Sequence, residues 1–197
     1  MIYEKQMTLY GDIRDSTDPT GWLVSEKFDG CRAYWDGLQF WTRGGNPIAA
    51  PKWFTCELPI DQHLDGEIWA GRGNFTEARC AVQYGSFTGS CKFMIFDAPQ
   101  ARGTWSERMA TVKTTAESQP VEFYKCTGRD DLFQEMFKMQ SAGGEGLVIR
   151  RDDFDGYEAK RTRKTLKVKY APSAESYSYS ALTRPDTAGF FVSTYLH

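Results

Sequence analysis

The chain has 197 residues, 41% hydrophobic and 25% charged, with a formal net charge of −2, enough for one well-formed core within the range of ordinary globular domains. It holds no run of about 18 apolar residues and opens on no basic-then-apolar segment, so a membrane-spanning or exported protein is not expected and a cytoplasmic one is. Five cysteines (31, 56, 80, 91 and 126), odd in number and without CxxC spacing, and only two histidines argue against a disulfide framework or a zinc site and for reduced thiols.

In chain order, a strand is expected at 24–27, closing on an Asp29-Gly30 turn. Strands at 31–35 and 38–43 flank Asp36-Gly37, a two-residue hairpin signal of the type I′ kind. Alternation along the first of these puts Arg32 and Tyr34 on one face and Cys31, Ala33 and Trp35 on the other. Arg32 can therefore point toward whatever Lys27 serves. Gly44-Gly45 breaks the second strand. A tight Asp65-Gly66 turn is expected to lead Glu67 into a strand at 66–70, and a short helix to follow at 76–83. A strand at 92–96 ends at Asp97-Ala98-Pro99. Ser106 is placed to cap a helix running toward Glu117. After a strand at 121–125, a helix is expected at 130–141. Leu132, Phe133, Met136, Phe137 and Gln140 form its core stripe, and Gly143-Gly144 ends it. Strands at 146–150 and 165–169 complete a mixed α+β domain in which antiparallel sheets, flanked by helices, carry the sites.

The chemistry starts at Lys27, which opens the string Lys27-Phe28-Asp29-Gly30-Cys31-Arg32. A lysine amine becomes a nucleophile when neighbouring cations or desolvation lower its pKa. Lys167 and Lys169, two apart in a strand, share a face and can supply such cations; they also fit a protected edge strand. Glu67 and Glu145 are carboxylates at the lips of strands, suited to a magnesium ion or to a ribose hydroxyl. Phe96 fits a stacked nucleobase or the core. Six basic residues and no acidic one lie between Lys160 and Lys169, a local phosphate-gripping face or a solvated strand on a near-neutral body.

Taken together, Lys27 to Arg32, Asp65-Gly66-Glu67, Phe93 to Asp97, Glu145 to Ile149 and Leu166 to Lys169 resemble the nucleotidyltransferase superfamily of ATP-dependent DNA ligases, RNA ligases and mRNA capping enzymes. Residues 25–37, 42–48 and 64–73 are especially similar to small bacterial and phage DNA ligases, and the likeness runs over 22–172. The resemblance implies an adenylation domain at 1–172, an ATP-grasp-like ligase fold, and a short tail at 173–197. It implies that Lys27 forms a lysyl-AMP from ATP and that AMP passes to the 5′-phosphate of a nick in double-stranded DNA. The 3′-hydroxyl then seals the strand, a phosphoryl transfer by alignment and charge neutralisation. Nucleotide contacts fall to Glu26 (through its backbone), Arg32, Arg43, Glu67, Phe96, Lys167 and Lys169. Glu67 and Glu145 would hold Mg2+ (or Mn2+). Arg32, Arg43, Lys160, Arg161, Arg163 and Lys164 would meet DNA. A monomer in the cytoplasm, or in the host cytoplasm of a phage, is the expected setting. An RNA ligase, a capping-type enzyme and a turnover-deficient nucleotide- or DNA-binding remnant stand as alternatives.

Ligases of this kind continue into an OB-fold barrel, which needs upwards of about 60 residues. Only 28 residues follow Lys169. The tail is expected to form one or two strands from Tyr177, Tyr179, Phe190, Phe191 and Tyr195. Self-adenylation is expected to be slow, and DNA grip weak and salt-dependent.

Overall fold

A computed structural model describes residues 7–153 and 155–169; the strands expected in the tail lie outside these residues. The elements in order are β1 (Leu9–Asp12), β2 (Leu23–Glu26), β3 (Cys31–Trp35), β4 (Phe40–Thr42), β5 (Pro47–Ile48), α1 (Lys52–Thr55), β6 (Leu64–Trp69), α2 (Phe75–Tyr84), β7 (Lys92–Asp97), α3 (Trp105–Met109), β8 (Ser118–Pro120), β9 (Phe123–Lys125), α4 (Arg129–Ser141), β10 (Gly146–Arg150) and β11 (Arg161–Lys169). Among the described residues no helix is long and apolar enough to cross a membrane.

Two sheets form, in the orders β1-β11-β10-β2-β9 and β5-β4-β3-β6-β7-β8. Most pairs are antiparallel, as expected, but β1 runs parallel to β11 and β8 parallel to β7, so both sheets are mixed at an edge. Strand alternation decides what each face buries. Leu147 and Ile149 of β10, Val24 of β2, and Leu166 and Val168 of β11 turn outward onto Leu132, Met136 and Met139 of α4. In the second sheet Ala33, Trp35, Ile68, Phe93 and Ile95 pack with Ala78 and Ala81 of α2. The inner faces meet through Leu23, Phe28, Met94, Phe96, Trp105, Met109 and Val121. The polar residues on those inner faces build the site.

Four local expectations are amended. The β3–β4 loop spans residues 36–39, not two residues. A type I′ turn needs positive φ at both central positions, and among the described residues no non-glycine residue has it. Asp36 instead accepts the backbone N–H groups of Leu38 and Gln39 and the Trp41 indole N–H. Asp65-Gly66 is not a turn but the interior of β6. Gly66 is there because a Cβ would stand 2.5 Å from both the Met94 carbonyl and the Phe93 ring. Helix α3 starts one residue before Ser106, under a capping box made by Thr104 and Glu107, and stops at Met109 so that the chain can return as β8. In α4 the buried stripe is Leu132, Met136 and Met139; Phe137 is 58% exposed and Gln140 is exposed.

Candidate active site

Lys27 follows directly after β2, and its backbone N–H donates to the Gly146 carbonyl at 2.9 Å. Across the sheet, Glu145 precedes β10, and the pairing of Gly146 with Lys169 brings β11 alongside. The result is one carboxylate held between two amines. Glu145 Oε2 lies 2.5 Å from Lys27 Nζ, and Oε1 lies 2.6 Å from Lys169 Nζ. Burial works to raise the Glu145 carboxyl, but the hydrogen bonds from Lys169 and Lys27 outweigh it and hold the group below the usual carboxylate range. Gly146 permits the close packing: a Cβ there would meet the Val168 carbonyl at 2.3 Å.

The second sheet supplies the opposite wall. Glu67 Oε1 accepts the Gly30 N–H at 3.2 Å, tying β6 to the loop that carries Lys27. Burial pushes the Glu67 carboxyl up to about 7, against the downward pull of the Lys27 and Arg32 charges. Arg32 stands opposite Glu67 in the β3–β6 register but forms its ion pair with Asp65, Nε to Oδ1 at 2.6 Å and Nη2 to Oδ2 at 2.5 Å. Asp65 also accepts from the Tyr157 hydroxyl at 2.6 Å. The Arg32 guanidinium sits 4.5 Å from the centre of the Phe96 ring, and Tyr10 meets that ring edge-on at 6.1 Å. Phe96 is 6% exposed, so its ring is a core element capped by a cation. Arg150, 4% exposed, donates to Ser25 Oγ at 2.6 Å and lies over the Trp105 ring at 4.9 Å.

Lys27, Glu145 and Lys169 are thus joined directly, with Glu67 and Arg32 on the facing wall. The remaining expected site residues stand apart from that cluster. Lys167 bonds Asp12 of β1 at 3.1 Å and not Glu145. Glu26 turns its side chain to a bidentate pair with Arg72 at 2.9 and 2.8 Å. Arg43 is exposed just past β4. Within the basic run, Lys160 and Lys164 pair with Glu158 and Arg161 donates to the Tyr10 carbonyl, so only part of that charge faces outward unpaired; Arg163 is exposed. Sequence reasoning did not single out Asp65, Asp12, Tyr10, Arg72 or Arg150 as site residues. Their signal is which elements come to lie side by side, which exists only once the chain has folded.

Among the described residues no group of three or more His, Cys, Asp or Glu is placed to cage a metal. A cleft of about 510 Å³ opens beside Ser25 and Glu26, walled by Phe28, Trp69, Met94 and Phe123, within the size range of small-molecule sites.

No protein-family model matches the sequence. The chain is 33% identical over 165 residues to a DNA ligase of Haemophilus influenzae, a match covering 79% of this chain and 60% of that protein. The chain therefore spans about 60% of the length of this curated relative. Among solved structures it is similar to a Lig E DNA ligase, at 28% identity and a TM-score of 0.73, over 83% of this chain and 68% of that one. It shares its fold with the Chlorella virus DNA ligase-adenylate (21% identity, TM-score 0.69, 83% and 68% covered). The same fold occurs in the ATP-dependent DNA ligase of bacteriophage T7 in complex with ATP (13% identity, TM-score 0.65, 86% and 70% covered). The resemblance to DNA ligases holds in sequence and in three dimensions, and the α+β fold is that of the DNA ligase nucleotidyltransferase domain.

Proposed function

We propose that this chain acts as the adenylating domain of an ATP-dependent DNA ligase, within residues 1–172. Lys27 Nζ attacks the α-phosphorus of ATP; a P–N bond forms as the bond from that phosphorus to the pyrophosphate oxygen breaks. The AMP is then transferred to the 5′-phosphate of a nick in double-stranded DNA, and the adjacent 3′-hydroxyl displaces it to close the strand. The observation that carries the reading is the Glu145 carboxylate spanning Lys27 and Lys169 at 2.5 and 2.6 Å. It fixes the nucleophile and keeps a second cation beside it, where an α-phosphate needs its charge neutralised.

The proton balance follows from the same contact. An ammonium that ends as a phosphoramidate loses two protons, one before attack and one as the bond forms. Glu145 Oε2 is the acceptor already bonded to that amine. Because its carboxyl is held low, it relays a proton toward solvent and does not retain it. Lys169, and Lys167 once released from Asp12, bind the phosphate; Arg32 and Glu67 suit the ribose hydroxyls.

A divalent cation fits the donor set. Glu67 is a part-buried carboxyl with a single backbone donor, and Glu145 is the carboxylate bonded to the nucleophile. Without a three-carboxylate cage, such an ion would depend on phosphate oxygens for its remaining ligands, as Mg2+ does in phosphoryl-transfer sites. When bound it would neutralise phosphate charge. Arg43, Arg163 and the outward part of the 160–164 run support DNA contact. The five cysteines, all unpaired, fit a reducing compartment such as the cytoplasm.

Incubation with radiolabelled ATP or GTP and magnesium, followed by denaturing electrophoresis, tests the reading. Acid-labile label from ATP and not GTP is expected on the chain, absent from Lys27→Ala, and chased by nicked DNA in preference to nicked RNA. Label on Lys27→Ala equal to wild type removes the mechanism. Label from GTP alone moves the chain to the capping class.

A further inference from the structure

We propose that Arg72 is a positioning residue for Lys27, the outer jaw of a clamp that β6 and the segment after it close on the nucleophile loop; this rests on the adenylation reading above. Residues on both sides of Lys27 are anchored to residues 69–72. Glu26, immediately before it, is held by Arg72 through Nε and Nη2 at 2.9 and 2.8 Å. Phe28, immediately after it, packs edge-on against Trp69 with ring centres 5.1 Å apart. Two residues further along, Gly30 is bound by Glu67 of the same strand. Lys27 itself makes its backbone bond to the other sheet, through Gly146. The nucleophile therefore sits at a point where the chain is pinned from both sheets.

Arg72 reaches that point because of the backbone that carries it. Gly71 and Gly73 both have positive φ, 97° and 76°, and they turn the segment back toward α4. There Arg72 Nη1 donates to the Ala142 carbonyl at 3.4 Å, and Nη2 lies 3.7 Å from Met139 Sδ. The guanidinium thus joins the strand before Lys27 to the end of the helix that leads into Glu145. Glu145 is the carboxylate that holds the Lys27 amine, so their spacing sets where that amine stands. The Arg72 side chain is 37% exposed, so its ion pair contributes little to global stability. Its effect is on placement, to which reaction rates respond steeply.

The test is single-turnover labelling of the full chain with radiolabelled ATP, read together with hydrogen exchange of the backbone amides at 27–30. Arg72→Ala is expected to slow labelling at saturating ATP by about tenfold, with half-saturating ATP unchanged within about twofold. Amide exchange at Lys27 and Gly30 should rise by about tenfold as the clamp opens. Arg72→Lys, a point charge without the bidentate fork, should recover part of the rate. Glu26→Ala should slow labelling as much as Arg72→Ala, and the double variant no further, because the pair acts as a unit. Wild-type labelling and exchange in Arg72→Ala would overturn the proposal. So would a raised half-saturating ATP with an unchanged maximal rate, since Arg72 would then hold nucleotide and not Lys27. A wild-type chain that never takes label removes the adenylation reading instead, and the exchange comparison alone still decides the clamp.

Discussion

Glu67 shows how burial can set one side chain against the stability of the fold. Its carboxyl is pushed up to about 7 by burial, while the same group in an unfolded chain titrates near 4.5. Between those values the folded state holds more protons than the unfolded one, so stability falls as pH rises through the window. Above about 7 the destabilisation is complete, on the order of 2 kcal/mol once partial exposure is allowed for. Glu67→Gln should therefore be more resistant to urea than wild type at pH 8 and nearly equal to it at pH 5. Equal resistance at both pH values would mean that burial does not perturb this carboxyl. Phe96 makes the complementary case. Its ring is buried and capped by Arg32, so Phe96→Ala should cost about 3–5 kcal/mol of stability in the nucleotide-free chain. A loss below about 1 kcal/mol by denaturant titration would mean that the ring is kept for a base and not for packing.

At the scale of elements, β6 does the most positioning. It presents Asp65 to Arg32, Glu67 to the Lys27 loop and Trp69 to Phe28, three successive residues of one face. The β6–β7 register shifts between Asp65 and Gly66, and Gly66 is what lets β7 come close at that step. Gly66→Ala would drive a Cβ into backbone and ring at 2.5 Å, and should lower the melting temperature by about 5–10 °C while slowing labelling. A variant as stable as wild type would show that β6 and β7 can part without harm. The 160–169 strand gives a different lesson. Six cations suggest a strong electrostatic grip, yet Glu158 holds two of them and Asp12 and Glu145 two more. Glu158→Gln should raise affinity for nicked DNA several-fold and steepen its salt dependence by about one to two phosphates. An unchanged salt slope would place DNA elsewhere.

For the whole molecule, the division between what could and could not be read from the sequence follows range. Lys27, Glu145 and Lys169 lie 118 and 24 residues apart along the chain and still meet, as their motifs implied. Ten-residue α2, thirteen-residue α4, β3 and β10 were legible because periodicity and glycine stops are local signals. Short β1, β5 and β8 were not expected, since two to four residues carry no period of their own. β1 and β8 sit beside no strong turn or motif signal, and Gly44-Gly45 before β5 reads only as the end of the preceding strand. The parallel edges, the Arg32–Asp65 pair and the Arg72 clamp were hidden for another reason: each depends on which elements come to lie side by side in the fold. The turn expected at Asp65-Gly66 failed because a glycine that permits close approach looks, in sequence, like one that permits a turn. The function hangs less on any of these elements than on a single covalent event. Intact-mass and peptide spectrometry of the chain after exposure to ATP and magnesium measures it directly. A single adenylyl increment on the peptide bearing Lys27, absent from Lys27→Ala, is the predicted result. No increment at excess ATP, or one carried by a different residue, would contradict it.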